Sequence, residues 1–426
     1  MRLAFATALA FFASPVLADA VTYSGDFNTV PIVLELSDPA DAASISTVGR
    51  YFQVRDGIDV PLRVTATGSG TIEITEEAAC KEDDCEIDQS GLIQARSPEA
   101  IWTLQVINNG TGLVGTRGST GSQSFPVNLE RTASRPFTPN DPPSPADLAE
   151  FSLGVMSYGP PLTRESSPYD FLKVNVWLEP GPKIRWGDTE HMYFTDPRTL
   201  YAYPRITDRG GKNSAVNEAL EQRDWGMRLA ALNCQSQIYP SMSLSGFSSS
   251  EASLGGFDEE QIEVHYLTRQ LLSFSESGSL WCGGAYPENH YHMFNLDVAT
   301  GETIDMSRLL KGYVPRDFMS GEIVDLDTAR QDHSSYNWGA DDDLAAFILS
   351  RADLPDDELA DECGYDTLVR NNLAIGFRRP DLIVFSLDGL PHVMGACAQD
   401  LLVAPVAELK AVLLPGAESY FPGILD

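Results

Sequence analysis

SLWCGGAYPENHYHMFNLDVATG, residues 279–301, is the most informative segment of this 426-residue chain. A strand-forming run reaches Trp281 and breaks at the pair Gly283-Gly284, because consecutive glycines weaken a strand and favour a turn. The chain then resumes as an aromatic strand and turns again at Asp297–Gly301. The segment therefore predicts two strands of a sheet joined at a glycine corner.

The composition describes an acidic globular protein. At 426 residues with 43% hydrophobic residues, the chain is long enough for two domains. The formal net charge is −32. Such a charge opposes binding to nucleic acid and to anionic lipid, and it favours the approach of cationic partners.

The first twenty residues have the pattern of a secretory signal peptide. Arg2 supplies the positive start, an apolar core follows, and small residues offer cleavage after Ala18 or after Ala20. No later segment has the run of about 20 apolar residues that a transmembrane helix needs. We therefore expect a periplasmic or secreted protein without a transmembrane anchor.

The rest of the N-terminal region predicts an all-β domain. Between residues 21 and 131, short period-2 runs such as Thr71–Thr75 and Ile101–Val106 are closed by Gly, Asp or Asn. This pattern is typical of a small antiparallel barrel or sandwich. Cys80 and Cys85 flank four residues and predict a hairpin-loop disulfide. Residues 132–148 hold five prolines and predict a semi-rigid linker.

Residues 149–415 predict an α+β domain with a mixed or antiparallel sheet. Ser214–Asn233 has helical periodicity with Ser214 as its cap, and a short closing helix is expected at Val406–Val412. The predicted strands are Phe171–Trp177, His191–Phe194, Gln261–Ser275, Tyr291–Val298, Leu373–Phe377, Leu382–Leu387 and Leu401–Ala404.

The four remaining cysteines lie in this second domain and allow three pairings. We favour Cys234–Cys282, which ties the long helix to the glycine corner. The complementary pair, Cys363–Cys397, then closes the last sheet segment. Disulfides of this kind persist outside the cytoplasm.

Candidate chemistry centres on His290 and His292, which face the same side if they lie on a strand. A zinc site needs a further ligand, and no His-Glu-x-x-His motif is present. The chain also has no Gly-x-Ser-x-Gly nucleophile elbow and no phosphate-binding glycine loop. We therefore predict no catalytic residues, no metal and no cofactor.

Short motifs in the second domain resemble the RsiV-like domain of unknown function. That domain forms the C-terminus of lysozyme-sensing anti-sigma factors and is appended to some polysaccharide deacetylases. The matching residues, within roughly 171–413, are Tyr203–Ile206, Asn217, Leu271–Phe274, Gly283-Gly-Ala, Phe294–Asp297, Thr300-Gly301 and Val403–Leu409. Tyr286 departs from the family, which often has a histidine there. The first domain more loosely resembles small secreted β modules, through Gly49-Arg-Tyr51.

The resemblance implies a non-enzymatic binding protein at the cell envelope, because these domains bind lysozyme in the anti-sigma factors. A cationic, lysozyme-like protein or a cell-wall glycan such as peptidoglycan is the expected ligand. The binding residues we predict are Trp281, Gly283, Gly284, Tyr286, Tyr291 and His292. Two alternatives stay open: a cell-wall hydrolase using His290, His292 and nearby carboxylates, and a structural module of an envelope complex.

Overall fold

The computed structural model describes residues 18–37, 47–68, 70–80, 98–119, 123–138, 140, 143–149, 161–207, 213–242, 256–257, 259–282, 287–355 and 357–426. These residues form an all-β unit followed by an α+β unit, as the sequence predicts.

The N-terminal unit is a closed antiparallel barrel in which each strand pairs with the next and the first pairs with the last. Closure leaves the sheet without a free edge. Its strands are β1 (Ala18–Phe27), β2 (Val30–Ser37), β3 (Val48–Gln53), β4 (Val60–Gly68), β5 (Thr71–Glu76), β6 (Ala100–Ile107), β7 (Gly112–Gly118) and β8 (Ser124–Phe137).

Strict alternation fills the barrel with side chains. Buried and more exposed residues alternate along β5 and along the first part of β6, so that Ile72, Ile74, Trp102 and Leu104 point inward. Glu76 is also buried there, and its carboxylate accepts hydrogen bonds from the Trp102 indole at 2.8 Å and from Arg117 at 2.7 Å. The interior is therefore a packed core in which the Glu76 carboxylate is hydrogen-bonded.

The barrel is longer than residues 21–131. Its first strand begins at Ala18, and Ala20 is fully buried. Its last strand continues through Phe137, so residues 132–137 are strand rather than linker. The prediction fails there because β8 pairs with β1 along this stretch, where Pro136 lies opposite Asp19. A 3₁₀ turn, Pro145–Ala149, then packs beside the barrel, with Leu148 buried against Ala20.

The second unit consists of small antiparallel sheets and short helices. Its strands are β9 (Glu179–Trp186), β10 (Thr189–Thr195), β11 (Ala202–Ile206), β12 (Gln261–Leu267), β13 (Leu271–Leu280), β14 (Glu288–Asp297), β15 (Tyr313–Arg316), β16 (Asn337–Ala340), β17 (Leu373–Arg378), β18 (Leu382–Leu387) and β19 (Asp400–Pro405). The α-helices are α1 (Pro168–Val174), α2 (Ser214–Ser236), α3 (Leu326–Ala329), α4 (Asp342–Leu349), α5 (Asp357–Cys363) and α6 (Tyr365–Asn371).

The sheets are assembled from neighbouring strands. They pair in the orders β11-β10-β9, β12-β13-β14, β15-β16 and β17-β18-β19. The main core of this unit lies between β17–β19 and helices α4 and α6, and a second core lies between α2 and the β12-β13-β14 sheet. All strand pairs named here are antiparallel, in agreement with the predicted α+β class.

Two strand predictions in this unit are wrong. The stretch predicted as strand 171–177 is instead the end of α1 and the turn after it, because Tyr169 and Lys173, four residues apart, are both buried in contact with Asp59 of the barrel. The long strand predicted at 261–275 is two strands. The chain reverses at Thr268, whose hydroxyl accepts the Leu271 N–H at 3.0 Å.

The ends of the predicted helices also differ. Asn213, not Ser214, precedes the first turn of α2, and the Asn213 side chain makes no capping hydrogen bond to that turn. The helix continues to Ser236, three residues beyond Asn233. The closing helix is a 3₁₀ segment over Val406–Leu409.

A fully buried charge cluster joins the barrel to α1. The Arg50 guanidinium lies within 3.1 Å of carboxylate oxygens of Glu35, Asp59 and Asp170, and all four side chains are 0% exposed. The Lys173 ammonium lies 2.6 Å from the Asp59 carboxylate. Residues predicted to belong to separate domains therefore share one desolvated ion network.

Both predicted disulfides of the second unit are present. Cys234–Cys282 has a Cα–Cα distance of 5.2 Å, and Cys363–Cys397 has one of 5.7 Å. Cys80 is also disulfide-bonded, whereas Cys85, its predicted partner, lies outside the described residues. Disulfides fit an oxidising compartment. Among the described helices, none is both long enough and apolar enough to cross a bilayer.

Candidate functional site

The predicted site lies on the hairpin β13–β14. The two strands pair from Leu271 opposite Asp297 to Leu280 opposite Glu288. Because side chains alternate along a strand, His290, His292 and Phe294 lie on one face of the sheet. The prediction that the two histidines share a face is therefore confirmed, and their rings stack with centroids 5.7 Å apart.

His290 pairs with a buried acid. Its Nε2 lies 2.9 Å from Oε2 of Glu260, whose side chain is fully buried. Burial raises the pKa of Glu260, and the hydrogen bond from His290 opposes that rise only in part. Gly278, opposite His290, makes room for this pair, since a Cβ there would lie 2.6 Å from Glu260 Oε2. Among the described residues, no partner is found for Glu260 Oε1.

His292 pairs with a second acid and is more accessible. Its Nδ1 lies 2.5 Å from Oδ1 of Asp388, and the two side chains are 39% and 27% exposed. Burial disfavours the imidazolium, but the hydrogen bond and charge of Asp388 outweigh it, so that the pKa of His292 is raised. The Asp388 carboxylate therefore favours the imidazolium form of His292, which lies on the edge strand β14 of this sheet.

A third carboxylate, that of Glu276, lies on the same face of the sheet as the two histidines. Glu276, opposite His292 on β13, accepts the Tyr203 hydroxyl and two N–H groups of Arg223. Burial and the charge of Glu276 raise the pKa of Tyr203, which keeps its phenol as a donor. The Arg223 guanidinium lies 3.5 Å from the centroid of the Phe294 ring, a cation–π contact.

Trp281 occupies the far end of the hairpin. The side chain of Trp281 is 38% exposed, and its backbone N–H donates to Gly256 O at 2.7 Å. The neighbouring Cys282 is bonded to Cys234 of helix α2. Gly256 fits closely into this corner, because a Cβ there would lie 2.2 Å from Cys234 Sγ. The exposed indole is thus attached to a backbone held by the hydrogen bond to Gly256 and by the neighbouring disulfide.

The predicted binding residues do not form one patch. Tyr291 lies on the opposite face from His292, and its hydroxyl is 3.2 Å from Met293 Sδ. Trp281 lies five residues beyond Glu276, the partner of His292, a separation of about 17 Å along an extended strand. Gly283, Gly284 and Tyr286 lie outside the described residues. The hairpin therefore presents a histidine–carboxylate face and, separately, an aromatic end.

The acids that complete the histidine face are missing from the predicted site. Glu260 is 30 residues from His290, and Asp388 is 96 residues from His292. An acid pair at Glu259-Glu260 is visible in the sequence, but nothing in its spacing marks a histidine partner. Within the described ranges, no group of three or more His, Cys, Asp or Glu side chains is arranged to hold a metal ion.

Several residues that carry the family resemblance have structural roles. The Asn217 side chain bonds both the N–H and the carbonyl of Ile206, at 2.8 and 2.9 Å, and so joins helix α2 to β11. Gly301, at φ +73°, lies against the first turn of α2, where a Cβ would be 2.4 Å from Ala215 O. These residues position the elements that surround the hairpin.

Comparison with models of known protein families yields no match. Comparison with curated proteins likewise yields none.

Proposed function

We propose that this protein is a non-enzymatic binding protein of the cell envelope, periplasmic or secreted, whose ligand is a cationic protein of the lysozyme kind. The observation that carries the proposal is the exposed indole of Trp281 at the braced end of the hairpin. The resemblance of the second unit to RsiV-like domains supports the same ligand class.

A braced aromatic side chain is an efficient anchor for a protein partner. Tryptophan is enriched among the residues that contribute most to binding, because it buries a large apolar area and keeps a polar N–H. The disulfide at Cys282 and the Trp281 backbone hydrogen bond fix the indole before a ligand arrives. Less conformational entropy is then lost on binding, which favours affinity.

The charge of the chain favours a cationic protein over a neutral glycan. A net charge of −32 accelerates encounter with a basic protein and makes that encounter sensitive to salt. A glycan without charge gains nothing from this field. A stacked sugar ring on Trp281 is therefore the alternative outcome of the test.

The test is a titration with hen-type lysozyme at low and moderate salt. We expect binding by the intact protein and a loss of about tenfold or more in affinity for Trp281→Ala. Trp177→Ala is the matched control, because Trp177 is 71% exposed and belongs to the segment between α1 and β9, not to the β13–β14 hairpin. Absence of lysozyme binding at both salt concentrations contradicts the proposal. Binding of chitin oligosaccharides that depends on Trp281 would assign a glycan ligand instead.

One observation favours a second candidate function. A histidine held by a carboxylate, as His292 is by Asp388, is the arrangement that general acid–base catalysis uses. The alternative is therefore a hydrolase of cell-wall polymers that uses His290, His292 and their acids. Release of soluble fragments from peptidoglycan by the purified protein, abolished in His292→Ala and retained in Trp281→Ala, would establish this activity in place of simple binding.

A further inference from the structure

A tight turn after β15 exposes an apolar surface remote in sequence from the β13–β14 hairpin. Phe318, Met319 and Ile323 are 57%, 94% and 54% exposed, and we call these three residues the apolar tip. Single exposed apolar residues are ordinary on protein surfaces, but a group of them marks an interaction site more often. Phenylalanine and methionine are also common anchors at protein interfaces.

The backbone of the tip is held in one conformation. The Asp317 carboxylate accepts the N–H groups of Met319 and Ser320, at 3.0 and 2.8 Å. The Asp317 N–H donates to Glu322 O at 3.0 Å, and Gly321 adopts φ +69° to close the turn. The apolar side chains are therefore presented by a fixed loop.

Arg316 attaches this loop to the body of the unit. Its guanidinium donates to Gly321 O at 3.2 Å on the turn, to Ala340 O at 3.1 Å on β16, and to Arg370 O at 3.2 Å on α6. The Arg316 guanidinium therefore donates its hydrogen bonds to backbone carbonyls of the protein. It links the tip to two other elements.

Acids surround the tip in sequence. The segment from Asp317 to Asp327 contains four acids and no basic residue, and Glu322 and Asp325 are exposed. Hydrogen bonds from the Ser320 backbone lower the pKa of Asp317, and those from Thr328 lower the pKa of Asp325. Arg330, which follows, pairs with Asp305 and Asp327. Residues 316–330 therefore carry four acids against two basic residues, Arg316 and Arg330, which leaves an excess of negative charge around the apolar tip.

We propose that the apolar tip is a second docking point, which inserts into an apolar depression rimmed by Lys or Arg on a cationic protein. Two other occupants fit the charges poorly. An anionic membrane surface would be repelled by the acids, and so would a second copy of a chain whose net charge is −32. The proposal rests on the proposed function, in that the partner is the same cationic protein that contacts Trp281.

The experiment uses the full chain and hen-type lysozyme as the probe. Because both side chains are exposed, the double variant Phe318→Ser, Met319→Ser should keep the circular dichroism spectrum and unfolding midpoint of the parent. We expect its dissociation constant to rise about tenfold or more. Val393→Ser is the matched control, since Val393 is 86% exposed and lies in the 3₁₀ segment His392–Cys397, outside the tip, and the dissociation constant of this variant should stay within about twofold of the parent value.

A second variant tests the acids separately from the apolar contact. Glu322→Gln with Asp327→Asn should slow association at low ionic strength and leave dissociation nearly unchanged, because rim charges act mainly on encounter. This effect should fade as salt is added. Equal association rates for parent and variant at low salt would contradict the electrostatic part of the proposal.

The outcomes separate the tip from the proposed function. Lysozyme binding that Trp281→Ala weakens and the tip variant does not would overturn the tip and leave the function standing. Failure of the parent protein to bind lysozyme would overturn both. Tip-dependent binding to phosphatidylcholine vesicles, without lysozyme binding, would assign the tip to a lipid surface and refute a protein partner.

Discussion

Replacing Arg50 by methionine tests whether the buried ion network holds the barrel and α1 together. Arg50 contacts three carboxylates, and its guanidinium lies 4.1 Å from the centroid of the Tyr169 ring. Methionine keeps much of the apolar contact and removes the charge. Two of the acids retain a cation after this change, since Glu35 still contacts Arg135 and Asp59 still contacts Lys173.

The third acid, Asp170, determines how much unfolding free energy is lost. Without Arg50, the described hydrogen bonds of Asp170 reduce to the one from the Ser167 hydroxyl, at 2.7 Å, and only the charges of Lys173 and Arg135 still favour its carboxylate. Removing one partner of an ion pair at a site that is 0% exposed destabilises a protein by about 3–5 kcal/mol. We therefore expect Arg50→Met to lower the free energy of unfolding by that amount. Asp170→Asn in the same chain should restore part of it, because the amide carries no charge.

Urea unfolding followed by circular dichroism and tryptophan fluorescence measures this loss. Arg55→Met is the matched control: Arg55 pairs with Asp56 at 2.9 Å but is 73% exposed, so its removal should cost less than about 1 kcal/mol. A loss below about 1 kcal/mol for Arg50→Met, or strict additivity with Asp170→Asn, would refute the reasoning.

The same variant should respond to pH. In the parent protein burial raises the pKa of Asp170, but the charges of Arg50 and Lys173 outweigh it and hold that pKa below its ordinary value. A depressed carboxyl pKa contributes stability above the unfolded pKa, and this contribution is lost as the pH falls through the folded pKa. Arg50→Met removes the part of that contribution that comes from Arg50, so the loss of stability relative to the parent should be full at neutral pH and should narrow on acidification.

Three further predictions concern other parts of the chain. The raised pKa of His292 contributes stability that is complete below the unfolded pKa and is lost as the pH rises through the folded pKa. Asp388→Asn should therefore lower the His292 pKa, measured by NMR titration, and weaken the pH dependence of the unfolding free energy, measured by urea unfolding at several pH values. Gly278→Ala should destabilise by about 1–3 kcal/mol, because its Cβ would lie 2.1 Å from a backbone oxygen, whereas Gly395→Ala, with open space around it, should not. Ala20 is fully buried in β1, so we expect the signal peptide to be cleaved after Ala18, which keeps Ala20 in the mature protein. N-terminal sequencing of the exported protein measures the cleavage site, and cleavage after Ala20 would contradict the prediction.

Part of the candidate site follows from local sequence. The period-2 pattern of residues 288–297 places His290 and His292 on one face, and the structure agrees. The same alternation places Tyr291 on the opposite face and so separates it from His292, with which it was grouped as a binding residue. Their acid partners, Glu260 and Asp388, were beyond prediction because contacts across 30 and 96 residues leave no spacing to detect.

Closure of the barrel and docking of α1 depend on contacts between distant segments. The alternation in strands such as Thr71–Glu76 predicts an antiparallel sheet, but the same alternation serves a barrel and a sandwich. The pairing of β1 with β8 decides between them and extends the barrel to Phe137. Residues 171–174 illustrate the opposite case, in which local β propensity loses to burial of α1 against the barrel.

The sequence by itself determined the features with local causes: the strand runs of the first unit, helix α2 and the net charge. It also favoured the cysteine pairs Cys234–Cys282 and Cys363–Cys397, which the structure contains. Only the tertiary structure decided which buried charges neutralise one another, as Arg50 does with Asp170 across the two units. The physical reason is desolvation: a charge can be buried only beside a partner, and the partner is chosen by the fold as a whole.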